Sequence, residues 1–178
     1  SGIPFKLSEK PPKDFVPPII KEKNIFLVSI NRNNEMLVED NAMGIEDLKE
    51  AAMKFIDNGG GVGKPGPNGE EGEPCDYCEG EKDPASSDHP NKAVISIQTD
   101  RSTDYEIYVS VRDELIKAYS ELRNRLSKQR YNMPFPELEK AYKDSKGRPN
   151  NEKLKLQVED IKKSYPQIIS DQEPTSVN

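Results

Sequence analysis

The fold is decided by the stretch Ala93-Val94-Ile95-Ser96-Ile97-Gln98 and by the long periodic segment that follows it. The first stretch is rich in β-branched residues and alternates weakly, which predicts a strand buried on at least one face. In the second, apolar residues recur at spacings of three and four, which predicts one long amphipathic helix that extends as far as Gln129. Thr103 and Glu106 have the spacing of a capping box and predict the start of this helix. Its apolar stripe consists of Tyr108, Val111, Leu115, Tyr119, Leu122 and Leu126.

Upstream of this stretch the sequence predicts a hairpin and a first helix. Residues 24–31 and 35–38 are apolar runs separated by Arg32-Asn33-Asn34, whose asparagines tolerate the left-handed conformation of a tight turn. From Gly44 the apolar period becomes helical, and Asn58-Gly59 predicts the end of that helix. The first helix stripe consists of Ile45, Leu48, Ala52, Phe55 and Ile56.

Downstream, two shorter helices are predicted at 135–143 and 151–163, separated by Gly147-Arg148-Pro149. Pro166 ends the second helix, and Gln167–Ser170 predicts a short last strand at a sheet edge. The element order is therefore ββαβα(αα)β. It predicts an α+β fold, a two-layer sandwich in which amphipathic helices cover one face of a mixed β-sheet.

The composition predicts one domain with three unusual segments. The chain has 178 residues and only 33% apolar residues, against roughly 45–50% in ordinary globular domains. The shortfall falls in a proline-rich leader at 1–23, a Gly/Glu/Cys insertion at 58–91 and a polar tail at 171–178. We expect an extended leader, a compact domain at 24–170 and a flexible insertion within it. Ser1-Gly2 looks like a cleavage scar, so we expect a native segment upstream.

The charge pattern argues against nucleic-acid binding. The net charge is −6, and the acidic stretch 70–83 accounts for it, so the rest of the chain offers no basic field for a phosphate backbone. The longest apolar runs are far too short to cross a bilayer, so we expect this segment itself to stay outside the membrane.

The two cysteines form a Cys75-x-x-Cys78 motif within the acidic loop. Nearby carboxylates raise a thiol pKa, which argues against a thioredoxin-like centre. The interpretation we favour is a small disulfide that closes a surface loop in an oxidising compartment. A zinc site with His89 as third ligand is the alternative, although one CxxC is only half of the usual ligand pattern.

No motif predicts catalysis. Gly59–Lys64 resembles a phosphate-binding loop, but Asn58 and Pro65 stand where that pattern needs Gly and Ser or Thr. We interpret this glycine tract as a flexible linker without a backbone task. The single histidine, His89, lies in the same insertion, so no Ser/His/Asp grouping is indicated. We expect no enzyme activity, no metal and no cofactor.

The decisive stretch also carries a family resemblance. Residues 93–105 (AVISIQTDRSTDY) and their continuation at 108–115 (YVSVRDEL) resemble the ExbD/TolR family, in which a strand ending in Asp is followed five residues later by Tyr and an amphipathic helix. These residues are Asp100 and Tyr105 here. The hairpin at 24–38 is similar to the family's first two strands, and Gln167–Ser170 to its closing strand. The insertion and residues 127–163 exceed the family pattern.

The resemblance implies the periplasmic domain of a single-pass inner-membrane subunit, one part of a proton-motive-force-driven motor. A transmembrane helix with a proton-carrying aspartate would precede the leader, which would act as a spacer. The implied partners are an ExbB/TolQ-like membrane subunit, a TonB-like protein or peptidoglycan, and a second copy in a homodimer. The motor would energise biopolymer transport or envelope maintenance.

The resemblance and the predicted sheet edge together give candidate binding residues. Gln167, Ile168, Ile169 and Ser170 offer a strand for addition of a partner peptide, and Asp100 and Tyr105 belong to the family motif. Two alternatives remain: a zinc- or thiol-dependent protein that uses Cys75, Cys78 and His89, and a peptidoglycan-binding domain without a motor.

Overall fold

The computed structural model describes residues 2–4, 19–63 and 72–173. Most of the predicted leader, the centre of the insertion and the end of the tail therefore lie outside the described residues. The strands are β1 (Gly2–Pro4), β2 (Ile19–Lys21), β3 (Ile25–Ile30), β4 (Met36–Val38), β5 (Asn41–Ala42), β6 (Val94–Thr99) and β7 (Ile169–Asp171). The helices are α1 (Leu48–Ile56), α2 (Tyr105–Tyr131), α3 (Phe135–Asp144) and α4 (Asn151–Ser164), with 3₁₀ turns at Glu22–Asn24 and Ile45–Asp47.

One mixed sheet organises these elements, in the order β5-β4-β3-β6-β7. β3 pairs with β4 in an antiparallel hairpin and with β6 in parallel, so that Ile25 lies opposite Val94 and Ile30 opposite Thr99. β7 adds in parallel beyond β6 and forms the edge, with Ile169 opposite Ile95. The predicted α+β class, the hairpin and the edge position of the last strand are confirmed.

The side of β3 that packs against the helices is set by its alternating burial, whereas the first four residues of β6 are all buried. Phe26, Val28 and Ile30 of β3 are buried, whereas the residues between them are only half-buried. The buried set packs with Ile95 and Ile97 of β6 against the apolar stripes of α1 and α2. The stripe residues Val111, Leu115, Tyr119, Leu122 and Leu126 are all buried as predicted.

The predicted capping box at Thr103 and Glu106 is wrong. Asp104 occupies the N-cap of α2, and no side chain caps this end. The Thr103 hydroxyl instead accepts a hydrogen bond from the Asp100 amide (3.0 Å) and donates to the Ile30 carbonyl (3.1 Å). The hydroxyl thus joins the ends of β6 and β3, and Thr103 lies one residue before the N-cap and does not cap the helix.

Other boundaries shift by one or two residues. α2 continues to Tyr131, two residues beyond the predicted end, and stops at Asn132, whose φ is +60°. The last strand covers Ile169–Asp171 rather than Gln167–Ser170. In the leader, β1 and β2 pair in a separate antiparallel sheet, with Gly2 opposite Lys21. The prediction of one extended spacer over 1–23 is wrong for these ends, because they fold back onto each other.

The insertion is not a flexible linker in its described parts, and we call residues 57–63 and 72–92 the lobe. Gly60 and Gly61 are buried and donate backbone hydrogen bonds of 2.9 Å to the carbonyls of Ser87 and Asp88. A Cβ on Gly60 would clash with the Asp83 carbonyl oxygen, and one on Gly61 with the Glu73 carbonyl oxygen. The glycines therefore allow two backbone segments to touch, which corrects our interpretation that they have no backbone task.

Paired amides and acids hold the base of the lobe. The Asn58 amide donates to the carbonyls of Asp83 (2.9 Å) and Ser87 (2.7 Å) and accepts from the Asp83 amide (3.0 Å). Asn24, just before β3, exchanges two hydrogen bonds with Asp88. Because Asn24, Asn58, Ser87 and Asp88 are all buried, each of these bonds satisfies a group that water cannot reach.

Candidate functional site

The candidate site lies where the parallel strands end. β6 ends at Thr99, β7 ends at Asp171, and α2 begins between them at Tyr105. The carboxyl ends of parallel strands meet at one side of a sheet, so residues that are distant in sequence come together there. We call the side-chain cluster at this place the corner site, formed by Tyr105, Tyr108, Arg112 and Asp171.

Asp171 is the centre of the corner site. Its carboxylate accepts a 2.8 Å hydrogen bond from the Tyr108 hydroxyl and a 3.3 Å bond from the Arg112 guanidinium. Burial, followed by the hydrogen bond to Asp171, raises the pKa of Tyr108 above its ordinary value. The phenol therefore stays neutral and remains a donor at physiological pH. These bonds fix the end of β7 to the first turns of α2.

Tyr105 gives the corner site an exposed aromatic surface. Its side chain is 73% exposed, and its ring centroid lies 6.1 Å from that of Tyr108. Tyrosine and arginine are enriched in protein–protein interfaces because they combine a large contact area with hydrogen-bonding groups. The corner site thus has the composition of a protein-binding surface.

Asp100 has a turn-forming role in the structure. Its carboxylate accepts hydrogen bonds from the Ser102 hydroxyl (2.7 Å) and from the Ser102 amide (2.9 Å). These two bonds, the hydroxyl first, hold the pKa of Asp100 below its ordinary value. Its hydrogen bonds link it to the turn before α2 and not to Tyr105, so the family-motif residues are close in the chain but act separately. That Asp100 contacts a partner stays a prediction.

β7 exposes one edge of its backbone. The Ile95 amide donates to the Ile168 carbonyl (2.9 Å), and the Gln172 amide donates to the Ile97 carbonyl (2.8 Å). Because backbone groups alternate in direction along a strand, those of Ile169 and Asp171 point to the outer side. No further strand pairs there within the described ranges. This edge can accept a strand from another chain.

The predicted binding residues at the chain's last strand divide into three kinds. Gln167 is exposed but precedes the strand, and Ile168 and Ile169 are half-buried. The Ser170 hydroxyl is buried, within hydrogen-bond distance of the Gln172 amide group (3.3 Å), so a partner cannot reach it. Within this strand it is therefore mainly the backbone of Ile169, not the side chain of Ser170, that is offered outward.

Sequence reasoning missed Tyr108, Arg112 and Asp171 as site residues. The apolar period places Tyr108 in the core stripe, and the composition places Asp171 in the polar tail. The available signal was the spacing of Tyr108 and Arg112, which places both on one face of a helix. Their common partner, Asp171, is brought to them only by the strand order.

The two cysteines form a disulfide inside the lobe. Cys75 and Cys78 are bonded to each other and are only 3% and 7% exposed. Gly59, with φ of +67°, packs against Cys78 because a Cβ would not fit there. The disulfide therefore closes the lobe against the end of α1.

His89 lies buried in the lobe and not on the sulfurs. Its Nδ1 accepts a hydrogen bond from the Asn91 amide (3.1 Å), and its ring packs edge-on against Tyr77 at 5.7 Å between centroids. Within residues 2–4, 19–63 and 72–173, no three His, Cys, Asp or Glu side chains form a group that could hold a metal ion. The sequence alternative that combined Cys75, Cys78 and His89 thus has no assembled site there.

We expect acid to destabilise the folded state partly through His89. Burial lowers the pKa of His89, against the opposing effect of the Glu73 carboxylate at 3.9 Å. At pH values below about 6.5, the ordinary histidine pKa, the unfolded chain binds more protons than the folded chain. Stability from this residue is therefore complete above those pH values and is lost as the pH falls towards the folded pKa.

The measurement is urea denaturation of the wild type and of His89→Gln at about pH 7.5 and about pH 5. Glutamine retains an acceptor for the Asn91 amide but does not titrate. The loss of unfolding free energy on acidification should be smaller in the variant, since the carboxylates contribute equally to both proteins. Equal losses would show that His89 does not contribute.

No protein-family model matches this chain, and no curated protein matches it. Within the described part of the chain, none of the helices has the length and apolar character needed to span a membrane.

Proposed function

We propose that this chain is a non-enzymatic protein-binding domain, the periplasmic part of an ExbD/TolR-like subunit of a proton-motive-force-driven motor. The observation that carries the proposal is the open outer edge of β7 beside the corner site. A sheet edge gives a partner strand its backbone hydrogen bonds, and neighbouring aromatic and charged side chains give it selectivity.

The element order supports the family part of the proposal. The chain has the hairpin, the helix, the parallel strand, the long helix and the closing edge strand that the resemblance implies. The segment from 93 to 105, which carries the resemblance, forms β6 and the turn that leads into α2. The resemblance thus lies on the elements that build the corner site.

The disulfide supports the compartment. Cys75 and Cys78 are bonded to each other in the lobe, and structural disulfides persist mainly in oxidising compartments such as the periplasm. In this proposal, an upstream transmembrane helix anchors the subunit in the inner membrane beside an ExbB/TolQ-like protein. In the proposal, the domain forms a homodimer by strand addition at the β7 edge and contacts a TonB-like protein or peptidoglycan.

The proposal predicts that proline at position 169 blocks association while alanine does not. Proline removes the backbone donor of Ile169, which points away from β6, so the sheet itself is retained. Ile169→Ala loses a similar side chain but keeps the donor, which makes it the matched control. Sedimentation equilibrium should show a dimer for the wild type and the alanine variant and a monomer for the proline variant. A proline variant that dimerises like the wild type contradicts the proposed edge.

Two further measurements separate the alternatives. Under the proposal, replacing Cys75 and Cys78 by serine leaves dimerisation intact. Loss of dimerisation in this variant would favour a thiol-dependent function. The native gene should encode an apolar stretch of about 20 residues upstream, interrupted by one acidic residue. A gene without that stretch, together with co-sedimentation of the domain with purified cell walls, would favour a peptidoglycan-binding domain without a motor.

A further inference from the structure

A groove of about 610 Å³ lies at the opposite end of the parallel strands from the corner site. Its floor is formed by Ile25 and Phe26 at the start of β3 and by Ala51 and Phe55 of α1. The rings of Phe26 and Phe55 are in contact, with centroids 5.2 Å apart. The lobe contributes Asn58, Glu81, Asp83, Ala85 and Ser86 to the wall. We call this depression the acidic groove.

The rim of the acidic groove carries an excess of negative charge. The lining residues include two lysines, Lys23 and Lys54, and the exposed acids Glu39, Glu81 and Asp83. Lys23 forms a 2.7 Å ion pair with Asp88, which lies outside the lining, so its charge is balanced elsewhere. Lys54 pairs with Glu81 at 3.2 Å, and both side chains are about two-thirds exposed. The rim therefore favours a cation.

The groove also runs beside a gap in the sheet. β4 pairs only with Val28–Ile30, so within the described residues the first half of β3 has no strand neighbour on that side. There the Leu27 amide donates to the Glu39 carboxylate at 2.9 Å instead of to a strand carbonyl. The Glu39 amide also donates to the Leu27 carbonyl (3.1 Å), so a segment lying in the gap would meet the apolar floor and side chains of the rim and not open backbone groups of Leu27.

We propose that the acidic groove binds an extended protein segment in which a lysine or arginine stands next to a small aliphatic residue. The aliphatic side chain, together with the methylene stem of the cation, packs on Ile25 and Ala51 beside the largely buried phenyl rings. The cation reaches Glu81 and Asp83 on the lobe. This surface is separate from the β7 edge, and the proposal does not depend on the proposed motor function.

The lobe gives the groove its selectivity. Its acids would be poorly placed if residues 81–86 moved freely, but the Asn58 amide bonds to the Asp83 backbone on both sides, and the Ala85 amide donates to the Asp83 carboxylate (2.9 Å). A preorganised charge costs less ordering on binding than a mobile one. The glycine contacts and the disulfide thus support a binding wall.

The test uses a short fluorescent peptide of alternating lysine and valine and a twin in which glutamate replaces lysine. Fluorescence anisotropy should show that the wild-type chain binds the lysine peptide, more weakly at high salt, and does not bind the glutamate twin. The variant Glu81→Gln/Asp83→Asn should bind roughly three- to tenfold more weakly, the range expected from two partly exposed charge contacts.

Two further variants keep the test decisive. Asp113→Asn/Glu152→Gln removes the same charge from exposed helix positions that do not line the groove, and it should bind like the wild type. Ala51→Lys places a competing ammonium in the groove on a helix that tolerates lysine, and it should weaken binding. The proposal is overturned if the lysine peptide fails to bind, if its twin binds equally, or if the control pair weakens binding as much as the groove pair.

Discussion

Alanine in place of Gly60 is expected to destabilise the fold by about 2–3 kcal/mol, as overpacking of a closely packed interior does. The new methyl group would clash with the Asp83 carbonyl oxygen, and that oxygen belongs to backbone held by Asn58. The backbone cannot yield without breaking the hydrogen bond from the Gly60 amide to the Ser87 carbonyl. Urea denaturation followed by circular dichroism measures the loss.

Gly44→Ala is the matched control for this prediction. A Cβ on Gly44 would meet only the carboxylate of Glu46, the far end of a flexible side chain on an exposed residue. Its backbone φ of −76° suits alanine, so the change should cost less than about 0.5 kcal/mol. If the two alanine variants were equally stable, the close backbone contact in the lobe would be refuted.

The second large effect is expected for Arg125→Met, which should lower the free energy of unfolding by about 2–4 kcal/mol. The Arg125 guanidinium donates a 2.9 Å hydrogen bond to the Asp57 carboxylate. The same carboxylate also accepts hydrogen bonds from the Tyr165 hydroxyl (2.5 Å) and from the Glu79 amide (3.1 Å). Asp57 is only 4% exposed. Without the arginine it becomes a buried carboxylate that lacks its counter-charge, which usually costs several kcal/mol. Since Arg125 itself is partly exposed, we expect a loss in the lower part of the range of about 2–4 kcal/mol.

Arg112→Met on the same helix is the comparison for Arg125. Arg112 pairs with Asp171, and both side chains are more than one-third exposed at 38% and 48%. Such surface pairs contribute less than about 1 kcal/mol. Chemical denaturation of both variants should therefore separate them clearly, and equal losses would mean that Asp57 is hydrated in the folded state.

The elements were predictable where periodicity decided them. The stripe from Val111 to Leu126 on α2 and the β-branched run of β6 were recognised because burial on one face leaves a local pattern. The capping box failed because the Thr103 hydroxyl has a competing partner in Ile30, far away in the chain. A pattern of four residues cannot reveal that competition.

The lobe and most of the corner site could not be predicted, because their contacts also join residues that are far apart in the chain. A glycine tract that permits backbone contact with Asp83 has the same composition as a flexible linker, and only the fold distinguishes them. The bond between Tyr108 and Asp171 spans residues that come together only through the sheet order. The open edge of the last strand was the part of the site that sequence could predict, because short closing strands commonly lie at sheet edges.

The parallel pairing of β3 with β6 has a consequence for folding kinetics. These neighbours in the sheet are separated in the chain by residues 31–93, so their pairing raises the contact order and carries a large loop-closure entropy. The hydrogen bonds between Asn24 and Asp88 bring the chain together just before both strands. A lobe that forms early would shorten the loop left to close between β3 and β6, so we expect the insertion to speed formation of the central sheet.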